Sequence, residues 1–392
     1  MYKILTLNNI AVEGLRHLPR ERYEVASEIA HPDAILLRSF NMHDMDIPET
    51  VAAVGRAGAG TNNIPVDDLA HKGIPVFNAP GANANAVKEL TIAGLLVASR
   101  NICDAREYVK DLEEKGDALN KAVEAGKKQF VGAELPGKVL GVIGLGAIGV
   151  EVANAALDLG MIVHGFDPAI TVRSAWRLSS GVEHEETLDQ LFQGTDALTV
   201  HVPLVDATRG IVNADRIALM NDGATLINFA RGGVVDDEAA LAALESGKLA
   251  RYVTDFPKPE LIAHPNVIAL PHLGASTREA EENCAVMVAE NVKDYLENGN
   301  IRYSVNYPDC RLPRMDAYRI TIANANVPNM VGQISTCLAD AGLNIEEILN
   351  KSIGDLAYTI VDVNGPVTDE CEAKLRGIDG VLALRNLGKP VT

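Results

Sequence analysis

The stretch that most constrains this chain is residues 138–167. There a short apolar run, Val139 to Ile143, leads into Gly144-Leu-Gly-Ala-Ile-Gly149 and then into apolar residues at helical spacing. The spacing predicts strand, glycine turn, helix over 148–159, and a second strand closing at Asp167. In a G-x-G-x-x-G turn Gly144 makes the tight bend, Gly146 lets the backbone approach a pyrophosphate, and Gly149 lets the helix pack on the strand. A dinucleotide phosphate would rest on the helix N-terminus, where free N–H groups and the dipole favour an anion. Asp167, about 20 residues on, is placed to accept hydrogen bonds from a ribose diol, and its charge repels a 2′-phosphate, which favours NAD over NADP. A glycine turn that served packing alone would leave Asp167 unexplained.

At 392 residues and 47% hydrophobic content the chain is long enough for two or three domains with a sizeable core. A formal charge of −18 argues against nucleic acid or an anionic membrane as partner. It leaves room for a small anionic substrate held by a local group of arginines. The N-terminus reads as a strand and lacks the features of a signal peptide, and no apolar run approaches the ~18 residues a membrane helix needs. Five scattered cysteines, Cys103, Cys284, Cys310, Cys337 and Cys371, show no C-x-x-C, which suits a reducing cytoplasm and gives no disulfide or metal framework.

Residues 1–95 alternate strand and helix signals, with strands expected at 3–7, 34–38, 53–57 and 75–78. Arg38 follows the second of these and Arg56 the third, just past the C-terminal ends of parallel strands, where open α/β sheets bind ligands. As lone residues they read equally well as solvated surface charges. Residues 86–98 read as an apolar helix leaving this unit, and 103–135 as a charged helix and a loop. Further strands are expected at 197–203, 225–230, 251–255 and 266–270, with helices at 215–220, 237–246 and 277–296. The repeated alternation predicts a doubly wound α/β class. Residues 300–316 read as a linker, and 317–387 as β-α-β-β-α-β, the ferredoxin-like pattern.

Three groups at strand ends in the nucleotide-binding half make a chemical set. Hydride transfer from a secondary alcohol requires a group that takes the hydroxyl proton, and the imidazole of His272 suits that task near neutrality. A carboxylate such as Glu260 would fix the ring, and the Arg231 guanidinium can hold a substrate carboxylate through two parallel hydrogen bonds. His201, ending a strand at the expected cofactor crevice, is the remaining histidine of interest. Spacing alone does not show that these groups converge.

Gly144 to Gly149, Asp167, His201-Val-Pro-Leu, Asn228-Phe-Ala-Arg-Gly-Gly and Pro271-His-Leu-Gly-Ala-Ser-Thr together resemble the D-isomer-specific 2-hydroxyacid dehydrogenases. Val54-Gly-Arg-Ala-Gly-Ala-Gly-Thr-Asn-Asn-Ile, Asn78-Ala-Pro-Gly-Ala-Asn and the C-terminal pattern resemble members with a phosphorylated substrate and an ACT module. The resemblance implies two doubly wound, Rossmann-like and flavodoxin-like domains plus that ferredoxin-like module. The substrate domain would be discontinuous, 1–96 with 275–312, alongside an NAD domain at 97–274 and an ACT domain at 317–392 in the chain. Arg231 would orient the substrate carboxylate, His272 would be the base in oxidation, and Glu260 its partner. Arg38 and Arg56, with Gly58 and Asn78, would meet the substrate. Ala147, Ile148, His201, Pro203, Phe229, Ala230, Asp255 and Gly274 would line the NAD site.

Two departures stand out: the step from Glu260 to His272 is short for the family, and Glu260 follows Lys-Pro where glutamate commonly precedes proline. In the module Asn324, Asn326 and Asn344 resemble effector positions for an amino acid, serine, although Asn324 stands where serine-inhibited members carry histidine. Turn and cap chemistry is the other reading of these asparagines. The apolar helix near 87–98 and the exposed sheet edges of the module lead us to expect a homo-oligomer, a dimer or tetramer. The two other expectations are a relative acting on an unphosphorylated acid and a non-catalytic, NAD-sensing assembly protein of the same fold.

Overall fold

The computed structural model describes residues 1–390; Val391 and Thr392, the end of the expected third domain, lie outside the described residues. The chain forms two compact units, Met1–Asn83 with the chain from Arg278 onward, and Ala84–Thr277.

The first unit opens with β1 (Tyr2–Leu7), β2 (Tyr23–Ala26), β3 (Ala34–Leu37), β4 (Ala53–Arg56) and β5 (Val76–Phe77), a parallel sheet in the order β2-β1-β3-β4-β5. β3 is buried along its whole length, which is why it reads as an unbroken apolar run. The helix Arg278–Asn298 returns to this sheet and buries Cys284, Ala285, Val288, Ala289 and Val292 in the same core as Ile4, Leu36 and Ala53.

The second unit holds β6 (Val139–Ile143), β7 (Ile162–Phe166), β8 (Glu183–His184), β9 (Ala197–Val200), β10 (Ala224–Asn228), β11 (Leu249–Thr254) and β12 (Val267–Ala269). They form one parallel sheet, β12-β11-β10-β9-β6-β7-β8, whose order reverses between β6 and β9. In an open α/β sheet that reversal creates the crevice where ligands sit. The helix Ala84–Ser99 belongs to this unit, so the division falls at Asn83/Ala84 where the sequence reading set 96/97. The reason is packing: Val87, Leu95 and Ala98 share a core with Val142 and Ile227, and Gly94 lets the Phe229 ring and Val253 come close. Of the apolar residues that motivated an oligomer, Val87, Leu95 and Ala98 are covered within the unit, whereas Leu96 is exposed. Residues 102–130 form two helices, Ile102–Lys110 and Asp117–Gly126, and a 3₁₀ turn, Lys127–Phe130, where one helix and a loop were expected.

The C-terminal module belongs to the first unit: β13 (Tyr318–Ala325), β14 (Ile345–Ile353), β15 (Leu356–Val363) and β16 (Val381–Gly388), antiparallel in the order β14-β15-β13-β16. Its helices, Met330–Asp340 and Asp369–Arg376, complete the β-α-β-β-α-β order read from the sequence. Strand alternation buries both faces of the central strands β13 and β15. Ile320, Ile322, Val361 and Val363 pack with the helix residues Ile334, Leu338 and Leu375. Ala323, Tyr358 and Ile360 join the core beneath the first sheet.

Candidate active site

The glycine turn has the geometry its spacing requires. Gly144 takes a left-handed backbone (φ +89°), and a Cβ there would lie 2.8 Å from the His201 carbonyl oxygen across the β6/β9 reversal. A Cβ on Gly149 would fall 1.8 Å from the Gly144 carbonyl oxygen, so the helix approaches the strand as only glycine allows. At Gly146 nothing lies within 4 Å of the corresponding position, which leaves the middle of the turn open. The helix Ala147–Asp158 starts here with no side-chain cap and no acidic residue in its first turn, so its leading N–H groups, from Ala147 and Ile148 onward, are available to an anion. Asp167, just past β7, accepts from the Leu145 N–H at 2.8 Å and the Ala169 N–H at 2.9 Å. Its carboxylate braces the turn and, with two lone pairs on each oxygen, keeps acceptor capacity for a diol.

His201 follows β9, and its N–H donates to the Ile143 carbonyl at 2.7 Å. Nε2 lies 3.0 Å from Thr199 Oγ1, and desolvation pushes the imidazole down to about 3. The ring is therefore neutral at physiological pH, and cannot be the group that titrates there. Pro203 is exposed two residues on.

Arg231, Asp255 and His272 follow the C-terminal ends of β10, β11 and β12, which are neighbours in the sheet. Asn228 closes the turn that carries Arg231: its Oδ1 accepts from the Ala230 N–H at 3.1 Å and its Nδ2 donates to the Arg231 carbonyl at 3.0 Å. Phe229 is buried beneath, while the exposed Arg231 guanidinium donates from Nη1 to the Ala230 carbonyl at 2.7 Å. His272 is exposed and holds a left-handed backbone, φ +41°, uncommon for a residue other than glycine. Its N–H reaches the carbonyls of Asp255 at 3.1 Å and Leu270 at 3.2 Å. The Phe256 ring meets its imidazole edge-on, with centroids 5.0 Å apart. Strain of this kind persists where surrounding contacts over-determine it, and it gathers at functional sites.

The carboxylate that supports this turn is Asp255. It is 1% exposed; Oδ2 accepts from the Gly274 N–H at 3.2 Å, and Oδ1 has no hydrogen-bond partner among the described residues. Burial raises its pKa, and a positive charge on His272 opposes that rise. Glu260 is exposed on the short helix Pro259–Ile262, and no hydrogen bond joins it to His272 among the described residues. The sequence reading placed Asp255 only in the cofactor lining. Its position directly after an apolar strand was the available signal for more.

In the first unit the C-terminal sheet edge gathers the remaining polar candidates. Arg56 ends β4 and donates from Nε to the Arg38 carbonyl and to Asn63 Oδ1, both at 3.1 Å. Its guanidinium runs past Gly58, where a Cβ would lie 2.5 Å from Nη1. Asn78 donates to the Ala59 carbonyl at 2.6 Å, and Arg38 pairs with Glu281 at 2.7 Å.

Residues 92–274 match the family described as D-isomer specific 2-hydroxyacid dehydrogenase, NAD binding domain. The chain is 36% identical over 326 residues to D-3-phosphoglycerate dehydrogenase of Bacillus subtilis, covering 79% of this chain and 59% of that protein. It is 36% identical over 352 residues to the protein of the same name from Methanocaldococcus jannaschii, covering 87% and 63%. Residues 92–274 are an NAD-binding domain of the D-isomer-specific 2-hydroxyacid dehydrogenase kind.

Among solved structures the fold is shared with apo D-mandelate dehydrogenase of Rhodotorula graminis (TM-score 0.65, 23% identity, 77% of this chain and 96% of that one). It is also shared with NAD+-bound 3-phosphoglycerate dehydrogenase of Entamoeba histolytica (TM-score 0.59, 24% identity, 78% and 98%). The chain spans about six-tenths of the length of the curated relatives named above. The open position at Gly146, the uncapped helix and Asp167 fit the dinucleotide of such an NAD-binding domain.

The three asparagines of the module do not form one cluster within a chain. Asn324 sits opposite Ala357 near one end of the sheet, whereas Ile345, next to Asn344, sits opposite Val363 at the other. Each takes part in local backbone chemistry: Asn324 donates to the Ala325 carbonyl at 2.7 Å, Asn326 to the Gly354 carbonyl at 3.0 Å, and the Asn344 N–H to Asn364 Oδ1 at 3.0 Å.

The placement of the two acids gives a direct expectation. Asp255→Asn lowers kcat by about tenfold to a hundredfold, less than the ~10²–10⁴-fold of the acid–base step it supports, whereas Glu260→Gln stays within about threefold. Because the folded-state pKa of Asp255 is raised, its stabilising contribution is complete in acid and is lost as pH rises through that pKa. Asp255→Asn should therefore gain stability relative to wild type at pH 8 compared with pH 4, as read from denaturation midpoints at the two pH values. The reverse ranking of the two variants in kcat would return the partner role to Glu260.

Proposed function

We propose that this chain is a D-3-phosphoglycerate dehydrogenase, oxidising 3-phospho-D-glycerate to 3-phosphohydroxypyruvate with NAD, the first step of L-serine biosynthesis. The observation that carries the reading is the strained His272 turn held against buried Asp255 beside the strand that presents Arg231. The names of the curated relatives support the substrate.

The bound nicotinamide supplies a hydride acceptor. The chain's own groups do the rest. Arg231, exposed on a turn clamped by Asn228, holds the carboxylate and fixes the reacting carbon. His272 Nε2 or Nδ1, whichever faces the hydroxyl, takes its proton in oxidation and returns it in reduction. Asp255 offers a nearby negative charge to the imidazolium so formed. Arg56 and Arg38 provide positive charge for the phosphate, and His201, held neutral, adds no competing charge where the cofactor binds.

Initial rates of NAD reduction with 3-phospho-D-glycerate and with D-glycerate test this. We expect kcat/KM to favour the phosphorylated acid by about a hundredfold, in keeping with charge-assisted contacts to a phosphate. A preference for D-glycerate would move the chain to the unphosphorylated branch of the family. NAD binding without turnover of any 2-hydroxy acid would leave only the nucleotide-sensing reading.

A further inference from the structure

The helix Arg278–Asn298 joins two places that chemistry would otherwise keep apart. An α-helix ends with four carbonyls that lack intrahelical donors, at the negative end of its dipole. Here the Gly299 N–H donates to the Tyr295 carbonyl at 2.9 Å and Tyr2 Oη to the Leu296 carbonyl at 2.8 Å, and side chains of the C-terminal module add further donors. Arg385 of β16 donates from Nη1 to the Tyr295 carbonyl and from Nη2 to the Leu296 carbonyl, both at 2.8 Å, with its guanidinium 4.4 Å over the Tyr295 ring. Arg319 of β13 donates to the Asn298 carbonyl at 3.0 Å and to the linker carbonyls of Leu312 and Pro313 at 2.9 Å. Its remaining donors hold both oxygens of Asp362, at 2.6 and 2.7 Å, in a pair that is 0% and 2% exposed. Tyr358 Oη reaches the Gly299 carbonyl at 2.8 Å.

Toward its N-terminus the same helix reaches Arg38, and along its middle it packs on the strand that carries Arg56. Glu281 holds Arg38. Val288 and Val292 press on Gly55 of β4, where a Cβ would lie 2.7 and 2.9 Å from their methyl groups, so strand and helix meet without slack one residue before Arg56. Burial pushes the Cys284 thiol up to about 11, and the first charges opposing that are those of Arg38 and Arg56.

We propose that Arg385, with Arg319, is a positioning residue for the acid substrate: by fixing the C-terminal carbonyls of this helix, the module sets where Arg38 and Arg56 stand. The inference rests on the reading of those two arginines as substrate contacts. A cap with only local effect would not reach Cys284, which lies about 16 Å up the helix from Tyr295 at 1.5 Å per residue.

The test uses the full chain with Arg385→Gln and the conservative Arg385→Lys. For Arg385→Gln we expect KM for 3-phospho-D-glycerate to rise about fivefold, with kcat and the KM for NAD within about twofold. Cys284 should be labelled faster by a small neutral thiol reagent, followed by peptide mass mapping, and Arg385→Lys should fall between. A less stable Arg385→Gln protein with wild-type KM and wild-type Cys284 labelling overturns the proposal. If Arg385→Gln does not fold, the paired replacement Arg319→Met with Asp362→Leu, which leaves no lone buried charge, must give the same KM and labelling changes. If the wild-type chain turns over no phosphorylated acid, the functional reading fails, and the labelling of Cys284 alone decides whether the helix is held as proposed.

Discussion

His272→Asn should lower kcat for oxidation by about 10²–10⁴-fold while NAD binds within about twofold of wild type. Asparagine is the informative replacement because the backbone at this position is left-handed, φ +41°, and asparagine adopts that conformation more readily than most residues. The turn is also held by groups the substitution leaves in place: the carbonyls of Asp255 and Leu270 still receive the residue 272 N–H, and the Asp255 carboxylate still receives the Gly274 N–H. What disappears is the imidazole, and with it the proton acceptor. Stopped-flow measurement of NADH formation, with NAD affinity from fluorescence titration, separates the two effects. A variant that turns over at the wild-type rate would remove His272 from the chemistry.

Arg231→Ala should lower kcat/KM for the acid by about 10³-fold, about 4 kcal/mol of transition-state stabilisation. The guanidinium is exposed and spends one N–H on the Ala230 carbonyl, so the rest of its planar fork is available to a carboxylate. Asn228 grips the main chain of this turn and not the arginine side chain, so the substitution should leave the turn intact. Arg231→Lys is expected to recover only part of the loss, because an ammonium keeps the charge without the bidentate geometry. Steady-state kinetics in both directions check this. Equal activity for the alanine and wild-type proteins would contradict the role.

Much of this was readable in the sequence because the strands that build the nucleotide unit are buried. The runs at 139–143, 197–200 and 224–228 are buried on both faces and mostly apolar, as a covered parallel sheet requires, and Gly144 and Gly149 are dictated by backbone contacts. β2 escaped notice because it is an edge strand with one well-buried residue, Tyr23, and an exposed Glu24. The helix Ala84–Ser99 was recognised as an element, but its unit depends on contacts to Phe229 and Val253 that no local pattern reports. At the site, Arg231 and His272 announce themselves by following strands. The position of Asp255 beside His272, with Glu260 on an exposed turn, follows from how three strand ends line up. The Arg319–Asp362 pair joins residues brought together by antiparallel register, and an isolated arginine in a strand gives no hint of it.

The central claim is that Arg231 and His272, carried on neighbouring regions of one sheet edge, handle a phosphorylated D-2-hydroxy acid beside NAD. A crystal structure of the His272→Asn protein with NAD and 3-phospho-D-glycerate tests it most directly, since the substrate should persist there. The proposal predicts the substrate carboxylate on the Arg231 guanidinium and its C2 hydroxyl turned toward residue 272. A substrate bound with its carboxylate away from Arg231, or with its hydroxyl out of reach of residue 272, would contradict it.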